Sequence, residues 1–266
     1  MSKLWIFGDS YGVHLNQQPG VVGNPWFWGY QLAKKLECKK YSNISQLGVA
    51  NEYIQNSIML EKNNIRSGDY VVIISTSMSR KWFFEDIPHS ANFYVDNYKD
   101  IVGWKRNQAV IKYAQQLMHE EQLISQFHQF LGWVHYMTDL HDWNVIVIPG
   151  FEEEGYPISH KYQVTGSLFN ICMNEFESRT ESEWFYQKFC QGRDNRLGHL
   201  IKDNHEILST KLYNTFTFKT QLNLHEGFIE KVISKKNINQ MEDQFIFIDT
   251  KEKTLFGYPT MDIDVL

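Results

Sequence analysis

The chain has 266 residues, with 26 Lys and Arg against 31 Asp and Glu and a formal net charge of -5. That balance, with no basic stripe, gives nucleic acid no electrostatic footing, and no aliphatic run approaches the roughly 20 residues of a membrane span. Cys38, Cys172 and Cys190 are widely spaced and odd in number, which fits neither a disulfide framework nor a zinc site.

Hydrophobic residues at 42% allow a sizeable core. The N-terminus lacks a basic region followed by a long apolar stretch, so the expectation is a soluble chain without a signal peptide, cytoplasmic or phage-associated.

Lys3 to Phe7 reads as a strand. Pro25 to Glu37 has Trp26, Tyr30, Ala33 and Leu36 at helical spacing, with Asn24 as N-cap and Pro25 as first helical residue. Lys40 to Gln46 is a second strand. Asn51 to Asn63 is a second helix with Ile54 and Ile58 on its inner side, and Leu60 as a further candidate there. After the turn Ser67-Gly68-Asp69, Tyr70 to Ser75 is a strand apolar on both faces, as a central parallel strand must be.

Lys81 to Gly103 has no clear period and reads as a long loop. Trp104 to His141 reads as a long helix or helix pair, Asn144 to Ile148 as a fourth strand ended by Pro149-Gly150, and His205 to Asn214 as another helix. Strands alternating with helices predict an α/β fold, a three-layer α/β/α sandwich with a central parallel sheet. Residues 1–217 form that domain in this reading. Residues 218–266 form a C-terminal appendage, with a helix over Leu224 to Ser234 and a strand over Gln244 to Ile248.

Ligands bind outside the carboxyl ends of parallel strands. Ser10 lies three residues past Phe7, between Gly8 and Gly12, which permit a tight turn and a close approach. A helix starting near Ser10 would make it a mere cap.

The stretch "IFGDSYG" resembles the first block of the SGNH/GDSL hydrolases, serine esterases and lipases marked by Gly-Asp-Ser after the first strand. "QLGVANEYI" (46–54) is similar to their second block, "VVIISTSMSR" (71–80) falls where the third belongs, and "GHLIKDNHEIL" (198–208) is similar to the last. The resemblance implies a flavodoxin-like SGNH fold with Ser10 as nucleophile and His199 as catalytic histidine. It also implies Gly48 as a backbone oxyanion donor. Ser77 stands where the family has an asparagine, and Ser75 where it has a glycine, so Ser77 or Asn51 would complete the oxyanion hole. Arg196 occupies the usual aspartate position, which leaves Asp194 as the nearest upstream carboxylate, or a Ser-His dyad.

The chemistry follows from these residue types. An alcohol needs an adjacent base, and imidazole supplies one near neutral pH. The expected reaction is hydrolysis of a small carboxylic ester, such as an O-acetyl group on a carbohydrate, without cofactor or metal. The alternative is an SGNH-like module of little or no activity that binds glycan or assists a virion or surface assembly.

Other candidates carry less. His14 shares a helical spacing with Ser10 and reads as a site-wall or surface residue, with a competing base as the alternative. His135 and Asp139 have metal-ligand spacing but no evident third ligand. Trp26 and Trp28 read mainly as core, with a sugar or acyl pocket wall as the alternative, and Trp82, Phe83 and Phe84 read as residues able to cover the site.

Overall fold

A computed structural model describes residues 2–13, 25–46, 48–82, 91–92, 112–113, 116–151, 161–188, 200–240 and 261–265. In chain order the elements are β1 (Leu4–Phe7), α1 (Trp28–Lys35), β2 (Lys40–Asn43), α2 (Asn51–Glu61), β3 (Tyr70–Ser75), β4 (Arg80–Lys81) and β5 (Ala91–Asn92). Then come α3 (Glu120–His141), β6 (Asn144–Pro149), β7 (Val164–Thr165), α4 (Leu168–Asn174), α5 (Arg179–Lys188), α6 (Lys202–Phe218), β8 (Leu222–Asn223) and β9 (Met261–Asp264).

The main sheet runs β6-β3-β1-β2-β9. Its first four strands are parallel, with Leu4 opposite both Tyr41 and Tyr70 and with Val71 opposite Val145. β9 joins antiparallel at the β2 edge, Tyr41 opposite Ile263. The α/β fold with a parallel sheet is therefore as the sequence predicts. The C-terminal stretch set apart from residue 218 supplies the edge strand.

Strand side chains alternate between two cores. Leu4, Ile6, Val72, Ile74, Ile146 and Ile148 face a layer holding Trp28 and Leu32 of α1 and Leu208, Leu212 and Phe216 of α6. Trp5, Phe7, Val71, Ile73, Val145 and Val147 face Ile54 and Ile58 of α2 and Phe127, Phe130 and Val134 of α3. Helices thus cover both faces, which is why these strands are apolar throughout. Full burial of each such side chain contributes about 1.5–3 kcal/mol.

Several expected boundaries shift. α1 begins at Trp28, not Pro25, because Phe27 is fully buried with an extended ψ of 132°. Asn24 lies outside the described residues. The first N–H of α1 is instead accepted by His205 Nδ1 at 3.3 Å, an acceptor from 177 residues away. Leu60 is 73% exposed, outside the inner face expected for it. α6 starts three residues before His205 and runs on to Phe218.

The helix expected over Leu224 to Ser234 is absent, because its N–H groups are used elsewhere. Leu224 N donates to Thr165 O, Lys231 N to Asn174 O, and Val232 N and Ile233 N to Glu175 O. The expected strand over Gln244 to Ile248 lies outside the described residues, as does most of Lys81 to Gly103.

Two helices arise that the sequence reading left out. α4 is capped by Ser167, whose Oγ accepts from Asn170 N at 3.3 Å. α5 opens with Ser178 Oγ accepting from Glu181 N at 3.2 Å. A third small core of Phe176, Phe185, Ile201, Ile233 and Ile238 seats the 229–238 segment against them.

Candidate functional site

A parallel order of β2-β1-β3-β6 reverses direction between β1 and β3, and ligands of such sheets bind in the crevice at that switch, outside the carboxyl ends. The segments leaving β1, β2 and β3 there carry Ser10, Gly48 and Ser77.

Residues 9–13 form a tight turn, with Gly12 N donating to Asp9 O at 3.0 Å and Val13 N to Ser10 O at 3.3 Å. Across residues 4–13 every residue is buried except Ser10. Three side chains hold this turn from different elements. Trp28 Nε1 donates to Tyr11 O at 3.1 Å, and Asn43 Nδ2 donates to Gly12 O at 2.7 Å. Asp9, fully buried, accepts from Tyr11 N at 3.1 Å and from Arg80 Nη1 at 3.1 Å.

The glycines are steric necessities. A Cβ at Gly8 would stand 2.7 Å from Ile74 Cβ, and one at Gly12 only 2.2 Å from Ser45 Oγ. Gly48 has φ +66°, a left-handed conformation that side chains resist.

After β3, Thr76 exchanges two hydrogen bonds of 2.9 Å with the Asn51 carboxamide. Asn51 therefore anchors the turn that follows β3. Ser77 Oγ lies 2.8 Å from Ser79 Oγ and accepts from Ser79 N at 3.3 Å. Arg80 Nη1 also donates to Thr76 Oγ1 at 2.7 Å, so one guanidinium nitrogen ties the β1 turn to the β3 turn. Sequence reasoning missed Arg80. Its only signal was a cation three residues past Ser77.

Beside these turns a cleft of about 240 Å³ opens between α2, α3 and β4, lined in part by Asn51, Glu52, Met78, Arg80, Lys81 and Phe130. Lys81, buried, pairs with Glu52 Oε1 at 2.9 Å and donates to Gln126 Oε1. A larger hollow of about 540 Å³ lies at the amino ends of the strands. One of its two carboxylates, Asp69, is occupied by Lys3 N, Trp5 Nε1 and Arg66 N, a structural role at that end of the sheet.

His199 and Asp194 lie outside the described residues, as do His14, Phe83 and Phe84. The chain re-enters at Leu200 and Ile201, both buried, where Ile201 N donates to Glu175 Oε1 at 2.9 Å. Trp28 is core, Trp26 packs on the His205 ring at 5.2 Å, and Trp82 meets Tyr53 edge-on at 5.3 Å. Among the described residues no group of three or more His, Cys, Asp or Glu is arranged to hold a metal ion, and no helix is long and apolar enough to cross a membrane. No protein-family model, no curated protein and no solved structure matches the chain.

Proposed function

We propose that this chain is a serine hydrolase of small carboxylic esters, typified by the O-acetyl group of a carbohydrate. Ser10 is the nucleophile, His199 its base, and Asp194 the carboxylate that orients the ring. The backbone N–H groups of Ser10 and Gly48, with the Ser77 hydroxyl, stabilise the tetrahedral oxyanion.

The observation that carries this reading is the partial exposure of Ser10. It is the one residue of 4–13 that is not buried, on a turn held by three side chains at the sheet's switch point. A chain of two contacts links the Ser10 turn to α6, the helix of the last sequence block. Tyr11 O accepts from Trp28 Nε1, and Trp28 N donates to His205, six residues along from His199.

The test is covalent labelling by a fluorophosphonate, with hydrolysis of p-nitrophenyl acetate. Labelling at Ser10, turnover abolished by Ser10→Ala, and a loss of at least about 10²-fold in His199→Ala are expected. A folded wild type that neither labels nor turns over would defeat the reading. That outcome would favour a glycan-binding or assembly module on the same scaffold, a reading to which one observation lends weight. The Asn51 carboxamide, a candidate oxyanion donor, is engaged with Thr76.

A further inference from the structure

Arg80 has binding capacity that the fold leaves over. A guanidinium carries five N–H donors. Nη1 directs its two at Asp9 Oδ2 (3.1 Å) and Thr76 Oγ1 (2.7 Å). The three donors of Nε and Nη2 have no acceptor among the described residues, although the side chain is only 14% exposed. Solvent reaches this edge of the guanidinium, and an oxyanion of matching geometry can take its donors in charge-assisted hydrogen bonds. The Nε–Nη2 edge is one of the planar forks that fit a carboxylate through two parallel hydrogen bonds.

The surroundings suit an acyl chain ending in such a group. Arg80 stacks on the Phe151 ring, 4.8 Å from its centre. Phe151 in turn meets Tyr11 and Phe169, each at 5.7 Å. This aromatic wall begins one residue from Ser10. Asp9 offsets part of the cation's charge but occupies only the Nη1 corner, and Lys81 in the adjoining cleft is already paired with Glu52.

We propose that the ester taken at this site carries a second, anionic group, a carboxylate, held by the Nε–Nη2 edge of Arg80. This substrate class rests on Ser10 being the nucleophile. The anion contact itself is tested without turnover.

The Ser10→Ala protein is titrated with monomethyl succinate and with its neutral counterpart dimethyl succinate, and the arginine Nε–Hε signals are followed by NMR. The Arg80 signal is identified by its disappearance in Arg80→Lys. The monoanion is expected to bind at least about tenfold more tightly, the scale of a charge-assisted pair, and to shift the Arg80 signal. Because Arg80→Gln alone strands Asp9, the loss variant is Asp9→Asn with Arg80→Gln, in which the preference for the monoanion is expected to vanish.

Equal binding of the two esters overturns the proposal. So does tight binding that leaves the Arg80 signal unmoved, which would put the anion elsewhere. Tighter binding of methyl 3-phosphonopropionate than of monomethyl succinate overturns the carboxylate assignment in favour of a phosphoryl group. On the wild type, absence of fluorophosphonate labelling defeats the hydrolase reading separately, while the titration still reports on Arg80.

Discussion

The Asn51 carboxamide and the Thr76 backbone exchange two hydrogen bonds of 2.9 Å, one in each direction, between the first residue of α2 and the first residue past β3. Both residues are buried, so no solvent replaces a lost partner. Asn51→Ala is expected to cost about 2–6 kcal/mol, since a buried N–H and a buried C=O are each left unpaired at about 1–3 kcal/mol. Urea denaturation measures it. Asn51→Asp keeps an acceptor for Thr76 N but sets an oxygen against Thr76 O, and should fall between wild type and Asn51→Ala.

Gly12 and Ser45 should show coupled behaviour. Gly12→Ala brings a methyl to 2.2 Å from Ser45 Oγ and 2.9 Å from Ser45 Cβ. The expected loss is about 1–3 kcal/mol, the usual cost of overpacking. Ser45→Gly removes both clashing atoms and should recover much of that loss in the double variant. The Ser45 hydroxyl is buried with no hydrogen-bond partner among the described residues, so Ser45→Ala alone should be near neutral. Additive losses in the thermal-denaturation cycle would contradict this packing.

The ion pair of Asp9 with Arg80 should behave as a buried one. Arg80→Ala leaves a fully buried carboxylate without its cation and is expected to cost about 3–5 kcal/mol. Asp9→Asn with Arg80→Gln, which keeps hydrogen bonding without charge, should cost less than Arg80→Ala. A double variant as unstable as Arg80→Ala would show that charge pairing is not what secures the turn.

Cys38 should be inert. Burial, and then the nearby Asp69 charge, push its thiol up to about 11. The thiolate is the reactive species, so at pH 7.5 iodoacetamide should leave Cys38 unmodified in the folded chain and alkylate it in denaturant. Mass spectrometry after proteolysis reads both states. Reactivity should appear only as the pH climbs toward the raised value.

The sequence announced the parts of this fold that depend on local signals. The Tyr70–Ser75 strand is an unbroken apolar run between a Ser-Gly-Asp turn and a polar segment, and it forms with those bounds. α2 begins where Asn51 was expected to begin it. Ser178 with Glu181 is a capping signal of the same local kind and was available. What stayed hidden are pairings over long separations. His205 takes the first N–H of α1 across 177 residues, and Arg80 meets Asp9 across 71. The helix misread at Leu224 to Ser234 failed for the same reason, because its N–H groups answer carbonyls near Thr165 and Glu175.

The antiparallel strand at the β2 edge carries a consequence for synthesis. β2 is made more than two hundred residues before Met261 to Asp264, which pair with it. At about 5–20 residues per second, translation leaves that edge uncovered for roughly 10–40 s. An open strand edge is a template for pairing with other chains. Within β2 the exposed charge is Lys40, at the head of the strand. Pairing of Met261–Asp264 with β2 is therefore the step that covers this edge of the sheet.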